Sequence, residues 1–192
     1  MAEPQVRASM PKDFLAVLDE HYPQAAHRVR KALPPHTVTT IESASRVEWL
    51  HLRHHAQLNE TSLELMGLQQ YQQAWRQAML RSVQQKTLRA TVTGALRLFG
   101  ATPASLMKLA PRAWNLLSKN AGRLSADIDV DAKQGRLTLT DFPEEQNRSG
   151  NFAQGLVGCI ESFLDISETQ GEVRLSSNTP TAGRATYEVT WR

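Results

Sequence analysis

Two spacings of hydrophobic residues divide the chain near residue 123. Before this point, hydrophobic side chains recur every three or four positions, which is the spacing of one buried face of an α-helix. After it, they alternate with polar side chains, as in a strand with one buried face. The sequence therefore predicts an α+β fold in which an N-terminal helical layer is followed by an antiparallel sheet.

Six helices are predicted in the first part, and proline or glycine marks most of their ends. A Thr- and Ser-rich stretch at 35–45 is predicted to be a loop, in which Ser43 or Ser45 caps the third helix. Thr102 caps the sixth helix, which Pro111 should kink or divide. The predicted helices cover residues 11–22, 25–33, 46–66, 68–84, 86–99 and 103–122.

The alternating part is predicted to form two hairpins on either side of one helix. The strands lie within 124–142, 171–177 and 184–191, and the helix covers 151–166. This β-β-α-β-β order gives a four-stranded antiparallel sheet with one face in water and one face against the helices. The side chains predicted to face the helices are Leu124, Ala126, Ile128, Val130, Leu137, Leu139, Val173, Leu175, Ala185, Tyr187, Val189 and Trp191.

No linker, repeat or composition shift marks a domain boundary. Residues 1–192 are therefore predicted to form a single domain, mainly helical over 1–122 and hairpin-helix-hairpin over 123–192. No hydrophobic run is long enough to span a membrane, and the first residues do not have the pattern of a signal peptide. Cys159 is the one cysteine, which excludes an internal disulfide and fits a reducing compartment. We expect a cytoplasmic protein.

Charge is distributed unevenly along the chain, although the formal net charge is only +3. No carboxylate lies between Glu64 and Asp127, whereas this stretch holds nine basic residues. One interpretation is a docking surface for an acidic protein, phosphate or anionic lipid. The other is a solvated helical surface neutralised by the acidic C-terminal half. Because exposed aromatic residues do not alternate with the basic ones, the pattern argues against a nucleic-acid partner. The predicted basic surface contains Arg76, Arg81, Lys86, Arg89 and Arg97.

The short motifs of phosphate binding, dinucleotide binding, structural zinc and acyl transfer are missing from the sequence. We therefore predict that the chain is not an enzyme and has no catalytic residues. His51 and His55 are one helical turn apart, a spacing that can hold Zn²⁺, Cu²⁺ or Ni²⁺, but surface histidines also reach this spacing by chance. They are the weak candidates for a metal site, and none is predicted.

Two further groups of residues have an ordinary structural interpretation. Cys159 lies on the hydrophobic face of the helix over 151–166, where it is either a small buried residue or a thiol in a pocket. The aspartates 127, 129 and 131 share one face of their strand. They form either a cation site or a solvated face on which Asp131 lies near Arg136.

The order of elements and the helix between the hairpins resemble one superfamily. In this helix Phe152 is followed by Gly155, Gly158 and the Phe-Leu-Asp of 163–165. Similar patterns occur in 4-vinyl-reductase-type sensor domains, haem nitric-oxide-binding (H-NOX) domains and TRAPP vesicle-tethering subunits. The chain also resembles a short family expanded in myxobacteria, in which a Trp follows a Pro before the sheet, as in Pro111-Arg-Ala-Trp114. The resemblance spans about residues 45–192 and implies a ligand-binding fold.

The chain departs from the superfamily at the residues that hold cofactors. An H-NOX domain has a haem-ligating His before the sheet and a Tyr-x-Ser-x-Arg run. The predicted helix around 109–117 has no His, and the hairpin after it has no such run. The cysteines that bind zinc near the C-terminus of 4-vinyl-reductase domains are missing here, and Cys159 does not match the acylated cysteine of TRAPP subunits. We therefore predict no haem and no other cofactor.

These observations predict a non-catalytic small-molecule-binding sensor or regulatory module. Its ligand would be a hydrophobic or aromatic small molecule in a pocket between the sheet and the helices. The alternative is a scaffold subunit that docks an acidic partner through the basic surface and binds no ligand. The sheet edges and an exposed aromatic stripe at Tyr71 and Trp75 also predict a homodimer. The predicted pocket lining is Phe99, Leu106, Trp114, Leu117, Phe152, Leu156, Cys159, Phe163 and Tyr187.

Overall fold

The structure is a computed structural model that describes residues 3–84, 102–147 and 150–192. Within these residues the chain is α+β, as predicted. The helices are α1 (Ser9–His21), α2 (Pro23–Ala32), α3 (Pro35–Ser43), α4 (Leu52–Met66), α5 (Leu68–Gln84), α6 (Pro103–Leu117) and α7 (Asn151–Ile166). The strands are β1 (Gln5–Arg7), β2 (Trp49–His51), β3 (Ser118–Lys119), β4 (Arg123–Asp129), β5 (Gln134–Thr140), β6 (Gly171–Thr179) and β7 (Arg184–Trp191). The predicted helix over 86–99 lies outside the described residues.

The larger sheet confirms the predicted hairpin-helix-hairpin. Its four antiparallel strands have the order β4-β5-β7-β6, and α7 connects the two hairpins. Leu137 and Tyr187 are opposite each other on the inner face, where both are fully buried. Alternation of hydrophobic and polar residues therefore identified the face that packs against the helices.

Two expectations for the first hairpin are wrong. Val130 is 54% exposed instead of facing the helices, because β4 ends at Asp129 and Val130 belongs to the turn. The register places Asp127 opposite Arg136, so Asp131 is not the acidic neighbour of that arginine. Asp131 instead lies in the exposed turn.

A second, small sheet joins distant parts of the chain and was not predicted. Its strand order is β2-β1-β3, with β1 in the centre. Val6 in β1 is fully buried and lies opposite Leu50 and Ser118. The first residues of the chain are thereby fixed against the segments before α4 and after α6.

Several helix predictions need correction. The predicted loop at 35–45 contains α3, whose Thr37 and Ile41 are fully buried. Burial of these two side chains stabilises a helix that local Thr and Ser preferences disfavour. α4 begins at Leu52 and not at residue 46, and neither Ser43 nor Ser45 caps it. Instead, His51 Nδ1 accepts a hydrogen bond from the Arg53 amide.

The sixth predicted helix is continuous through its internal proline. Thr102 caps α6 as predicted, since its hydroxyl accepts from the Ser105 amide at 3.2 Å. Pro111 lies within α6 and does not divide it, and the helix ends at Leu117 instead of residue 122.

α7 approaches α5 closely because two glycines face the contact. A Cβ atom at Gly158 would lie 2.0 Å from the Gln72 carbonyl oxygen, and one at Gly155 would lie 2.8 Å from the Tyr71 hydroxyl. Both distances are shorter than the closest contacts that a Cβ atom makes with other heavy atoms, so only glycine fits at these two positions without a shift of the neighbours. The other side of α7 packs on the large sheet, so α7 connects the helical layer to the sheet.

Candidate functional site

A small cavity, open on one side, lies where α1, α4, α5 and α7 meet. Its volume is about 10 Å³, which is at the lower limit for one water molecule. Five deep residues and three partly exposed ones form its wall. The deep residues are His55, Asn59, Trp75, Phe152 and Gly155, and the partly exposed ones are Met10, Leu156 and Cys159.

Asn59 is the centre of a buried hydrogen-bond network beside this cavity. Its Oδ1 accepts from the Tyr71 hydroxyl at 2.6 Å and from Trp75 Nε1 at 3.0 Å. Its Nδ2 donates to the His55 carbonyl oxygen at 2.8 Å and lies 3.1 Å from His55 Nδ1. The Tyr71 hydroxyl also lies 3.1 Å from the Asn151 carbonyl oxygen. The network therefore joins α4, α5 and the first residue of α7.

His55 is a neutral imidazole at physiological pH. The residue is 1% exposed, and its burial lowers the pKa of the ring to about 4. The ring makes edge-to-face contacts with Trp75 and Phe152, with centroids 5.4 and 5.7 Å apart. His55 is therefore held in one orientation by aromatic rings from two helices.

Cys159 lies on the same cavity but lacks the properties of a nucleophile. Burial of its thiol raises the pKa to about 12, so the thiolate is negligible at neutral pH. The sulfur lies 4.0 Å from the Trp75 carbonyl oxygen. The sequence did not show whether His55 and Cys159 lie at the same cavity, and the structure places both in its wall. Because the thiol is protonated, His55 and Cys159 do not form an activated Cys-His dyad.

The predicted pocket residues fall into two groups. Phe152, Leu156 and Cys159 line the cavity. Leu106, Trp114, Phe163 and Tyr187 instead pack in the core between α6, α7 and the sheet, and Leu117 is half-buried. For example, Trp114 Nε1 donates to the Gly122 carbonyl oxygen at 3.1 Å. The Tyr187 hydroxyl donates to the Ala153 carbonyl oxygen at 3.2 Å. Phe99 lies outside the described residues.

Sequence reasoning missed the polar half of the site. Tyr71 and Trp75, expected to be exposed, are 0% and 5% exposed. Their side chains are buried because α7 covers this face of α5. One signal was present in the sequence: His55 and Asn59 continue the stripe of α4 that begins at Leu52, so two polar side chains occupy a buried helical face.

The described members of the basic surface are paired inside the molecule. Arg76 Nε donates to Asp165 at 2.6 Å, and Arg76 also lies 3.6 Å from Glu161. Arg81 pairs with Glu20 at 2.9 Å and lies 3.7 Å from Asp13. These two arginines are therefore neutralised by neighbouring helices. Lys86, Arg89 and Arg97 lie outside the described residues.

The weak metal candidates do not share a site. His51 caps α4 and is partly exposed, whereas His55 is buried against Trp75 and Phe152. Within 3–84, 102–147 and 150–192, no group of three or more His, Cys, Asp or Glu side chains could hold a metal ion. Asp127 and Asp129 are exposed on the outer face of the sheet.

Comparison with solved structures identifies the fold. An oxygen-binding H-NOX domain related to soluble guanylate cyclases superposes with a TM-score of 0.64 at 12% identity, covering 97% of this chain and 95% of that chain. A mutant H-NOX protein from K. algicida superposes with a TM-score of 0.67 at 6% identity, covering 97% of this chain and 96% of that chain. A mutant H-NOX protein from T. tengcongensis superposes with a TM-score of 0.63 at 10% identity, covering 97% of each chain. The chain therefore has an H-NOX-like fold, as the resemblance implied.

No protein-family model and no curated protein sequence matches the chain. The resemblances to 4-vinyl-reductase domains, TRAPP subunits and the myxobacterial family stay predictions. In the described residues, no helix combines the length and hydrophobicity needed to cross a membrane.

Other structures with this fold come from work on haem redox potential and porphyrin distortion, so we tested whether the described residues fit a haem. Haem needs an axial side-chain ligand and a cavity that holds the porphyrin. α6 carries no histidine, and the cavity beside His55 holds about 10 Å³. Open grooves of about 430 and 520 Å³ lie on polar surfaces of the sheet, and one of about 480 Å³ lies beside α2, where His21 and Tyr22 line it. Neither α6 nor the cavity beside His55 fits a haem.

Proposed function

We propose that this chain is a non-catalytic sensor or regulatory module that binds a small uncharged molecule, without haem, at the cavity between α1, α4, α5 and α7. The observation that carries the proposal is the cavity bordered by the Asn59 network. Hydrophobic side chains with a few buried polar groups are typical of small-molecule sites. The fold is that of domains whose solved structures include an oxygen complex, which supports a ligand-binding role.

Ligand entry requires the cavity to widen on its exposed side. Met10, Leu156 and Cys159 are partly exposed, whereas the opposite wall is buried. Methionine has several accessible rotamers and fills irregular space easily. Outward rotation of Met10 and Leu156 would open the cavity without breaking the Asn59 network.

α7 connects the cavity to the sheet, so ligand binding can change how the rest of the molecule is arranged. α7 supplies Phe152, Gly155, Leu156 and Cys159 to the cavity and packs on the sheet with its other face. A ligand that favours one position of α7 over another shifts the population of the two arrangements. A partner that contacts the sheet or the helical layer would detect this shift.

The protonation state of Cys159 supports a site that works without a thiolate nucleophile. At neutral pH, Cys159 is a thiol and His55 an uncharged imidazole, so neither a thiolate nor an imidazolium is present. The scaffold alternative receives no support from Arg76 and Arg81, because both form ion pairs inside the molecule.

A thermal-shift screen of small uncharged probes tests this proposal. Cyclopentanone, benzene and indole are added to the wild type and to Leu156→Trp, in which a larger side chain fills the mouth of the cavity. At about ten times Kd, a probe stabilises the protein by about 1.4 kcal/mol, which raises Tm by about 3–6 °C. We expect this rise in the wild type and not in Leu156→Trp.

Met10→Trp is a second occluding variant in case Leu156→Trp does not fold. Equal shifts in the wild type and an occluded variant, or no shift with any probe, would contradict the proposed site. Haemin is added in a separate titration, and a stoichiometric Soret complex of the wild type would contradict the haem-free part.

A further inference from the structure

The orientation of the Asn59 side chain is fixed by its neighbours. An indole N–H can only donate, so the atom 3.0 Å from Trp75 Nε1 must be the Asn59 oxygen. The amide nitrogen then faces the His55 ring and donates to the His55 carbonyl oxygen. This assignment needs no assumption about the histidine.

One nitrogen of the His55 ring consequently has no acceptor among the described residues. A neutral imidazole has one N–H and one lone pair. Asn59 Nδ2 lies 3.1 Å from Nδ1 and 3.4 Å from Nε2, so it faces the ring between the two nitrogens, and as a donor it cannot accept the ring hydrogen. Leaving such a buried donor unpaired costs about 1–3 kcal/mol.

We propose that the His55 N–H recognises its ligand, and that the cavity binds small uncharged molecules with one hydrogen-bond acceptor, such as a ketone oxygen. This inference rests on the proposed function and adds the chemical class of the ligand. His55 borders the cavity and is 1% exposed, so a molecule that occupies the widened cavity can supply the acceptor.

The rest of the wall excludes other classes of ligand. The described lining has no charged side chain, so an ion would lose its hydration without a partner. Asn59 Oδ1 already accepts two hydrogen bonds, so a ligand that only donates gains little from this residue. The aromatic rings of Trp75 and Phe152 instead favour a hydrocarbon body.

Two probes of matched shape test the inference. Cyclopentanone carries an acceptor, and methylenecyclopentane has a CH₂ group in its place. Their affinities are measured by calorimetry for the wild type, for His55→Phe, which removes the donor, and for His55→Gln, which restores one. We expect the ketone-to-alkene affinity ratio to fall at least about fivefold in His55→Phe and to recover in His55→Gln.

The outcomes separate the inference from the proposed function. Binding of both probes with a ratio that stays within about twofold in His55→Phe would overturn the acceptor preference while leaving the cavity as a site. Binding of neither probe to the wild type would overturn both. If His55→Phe does not fold, a crystal of the wild type with cyclopentanone decides: a ketone oxygen within hydrogen-bond distance of His55 supports the inference, and an ordered water there instead contradicts it.

Discussion

At the residue scale, Asn59 determines the chemistry of the site. Its amide oxygen accepts from Tyr71 and Trp75, and its nitrogen donates to the His55 carbonyl oxygen and faces the His55 ring. The loss of this amide would leave buried partners without a hydrogen bond.

Replacing Asn59 with Leu should therefore destabilise the protein strongly. The substitution removes the acceptor of Trp75 and the donor to His55 in a buried place. We expect a loss of about 2–4 kcal/mol in the free energy of unfolding, measured in urea. Asn115→Leu on the exposed side of α6 is the matched control and should change it by less than about 0.5 kcal/mol. A loss below about 1 kcal/mol for Asn59→Leu would show that the network contributes little.

His55 should make stability depend on pH. Its pKa is about 4 in the folded protein and 6.5 when exposed, so the unfolded state binds more protons between these values. Stability is therefore complete above pH 6.5 and falls as the pH drops toward 4. Between pH 7 and 5, the wild type should lose about 2 kcal/mol more than His55→Phe in urea unfolding. Parallel losses in the two proteins would show that His55 does not titrate in this way. The pKa of His54 is also lowered by burial, and both proteins share that contribution.

At the element scale, α7 is the part of the fold that the sequence predicted best. Its bounds agree with the predicted 151–166, because hydrophobic residues on one helical face are flanked by turn residues. The helix α3 and the strand β1 could not be predicted, since Thr37, Ile41 and Val6 are stabilised by contacts with distant segments instead of by local preference.

The close approach of α7 to α5 should be sensitive to a single methyl group. In Gly158→Ala, the new Cβ would lie 2.0 Å from the Gln72 carbonyl oxygen, so the helices must separate. We expect a loss of about 3 kcal/mol or more in the free energy of unfolding, or no folding. Gly67→Ala has no atom within 4 Å of its Cβ, but the backbone there (φ 75°, ψ 163°) is one that almost only glycine adopts, so it should cost about 1–3 kcal/mol. Equal losses in the two variants would contradict the close helix contact.

Arg76 provides a polar link between the same two helices. Its removal in Arg76→Met should lower the free energy of unfolding by about 1 kcal/mol, since Asp165 and Glu161 lose their partner in a half-buried place. The matched control is Arg123→Met, whose pair with Asp141 is mostly exposed and should contribute almost nothing. Thermal unfolding at low and high salt measures the stability of both variants. Equal losses in Arg76→Met and Arg123→Met would contradict a stabilising ion pair between α5 and α7.

At the scale of the whole molecule, the fold was more predictable than the site. The change in hydrophobic spacing near residue 123 indicated both layers. The chain has an H-NOX-like fold although it is only 6–12% identical to the three H-NOX structures on which it superposes. The site combines residues from α1, α4, α5 and α7, and no spacing within one segment shows that Asn59 meets Trp75. Only the polar positions on the buried stripe of α4 pointed toward it.

Some whole-molecule predictions are not tested by the structure. A single domain over 1–192, a homodimer and a cytoplasmic location stay predictions. The aromatic argument for the homodimer no longer holds, because Tyr71 and Trp75 are buried, so only the edge strands β4 and β6 support it.

The histidine side-chain ¹H–¹⁵N spectrum of the wild type at pH 7 tests the central claim most directly, because it observes the His55 ring itself. Comparison with His55→Gln assigns the signal. The structure predicts a neutral ring whose N–H resonance shifts on addition of cyclopentanone and changes little with methylenecyclopentane. A charged His55 ring, or an N–H resonance that neither probe moves, would contradict a ligand site at this cavity.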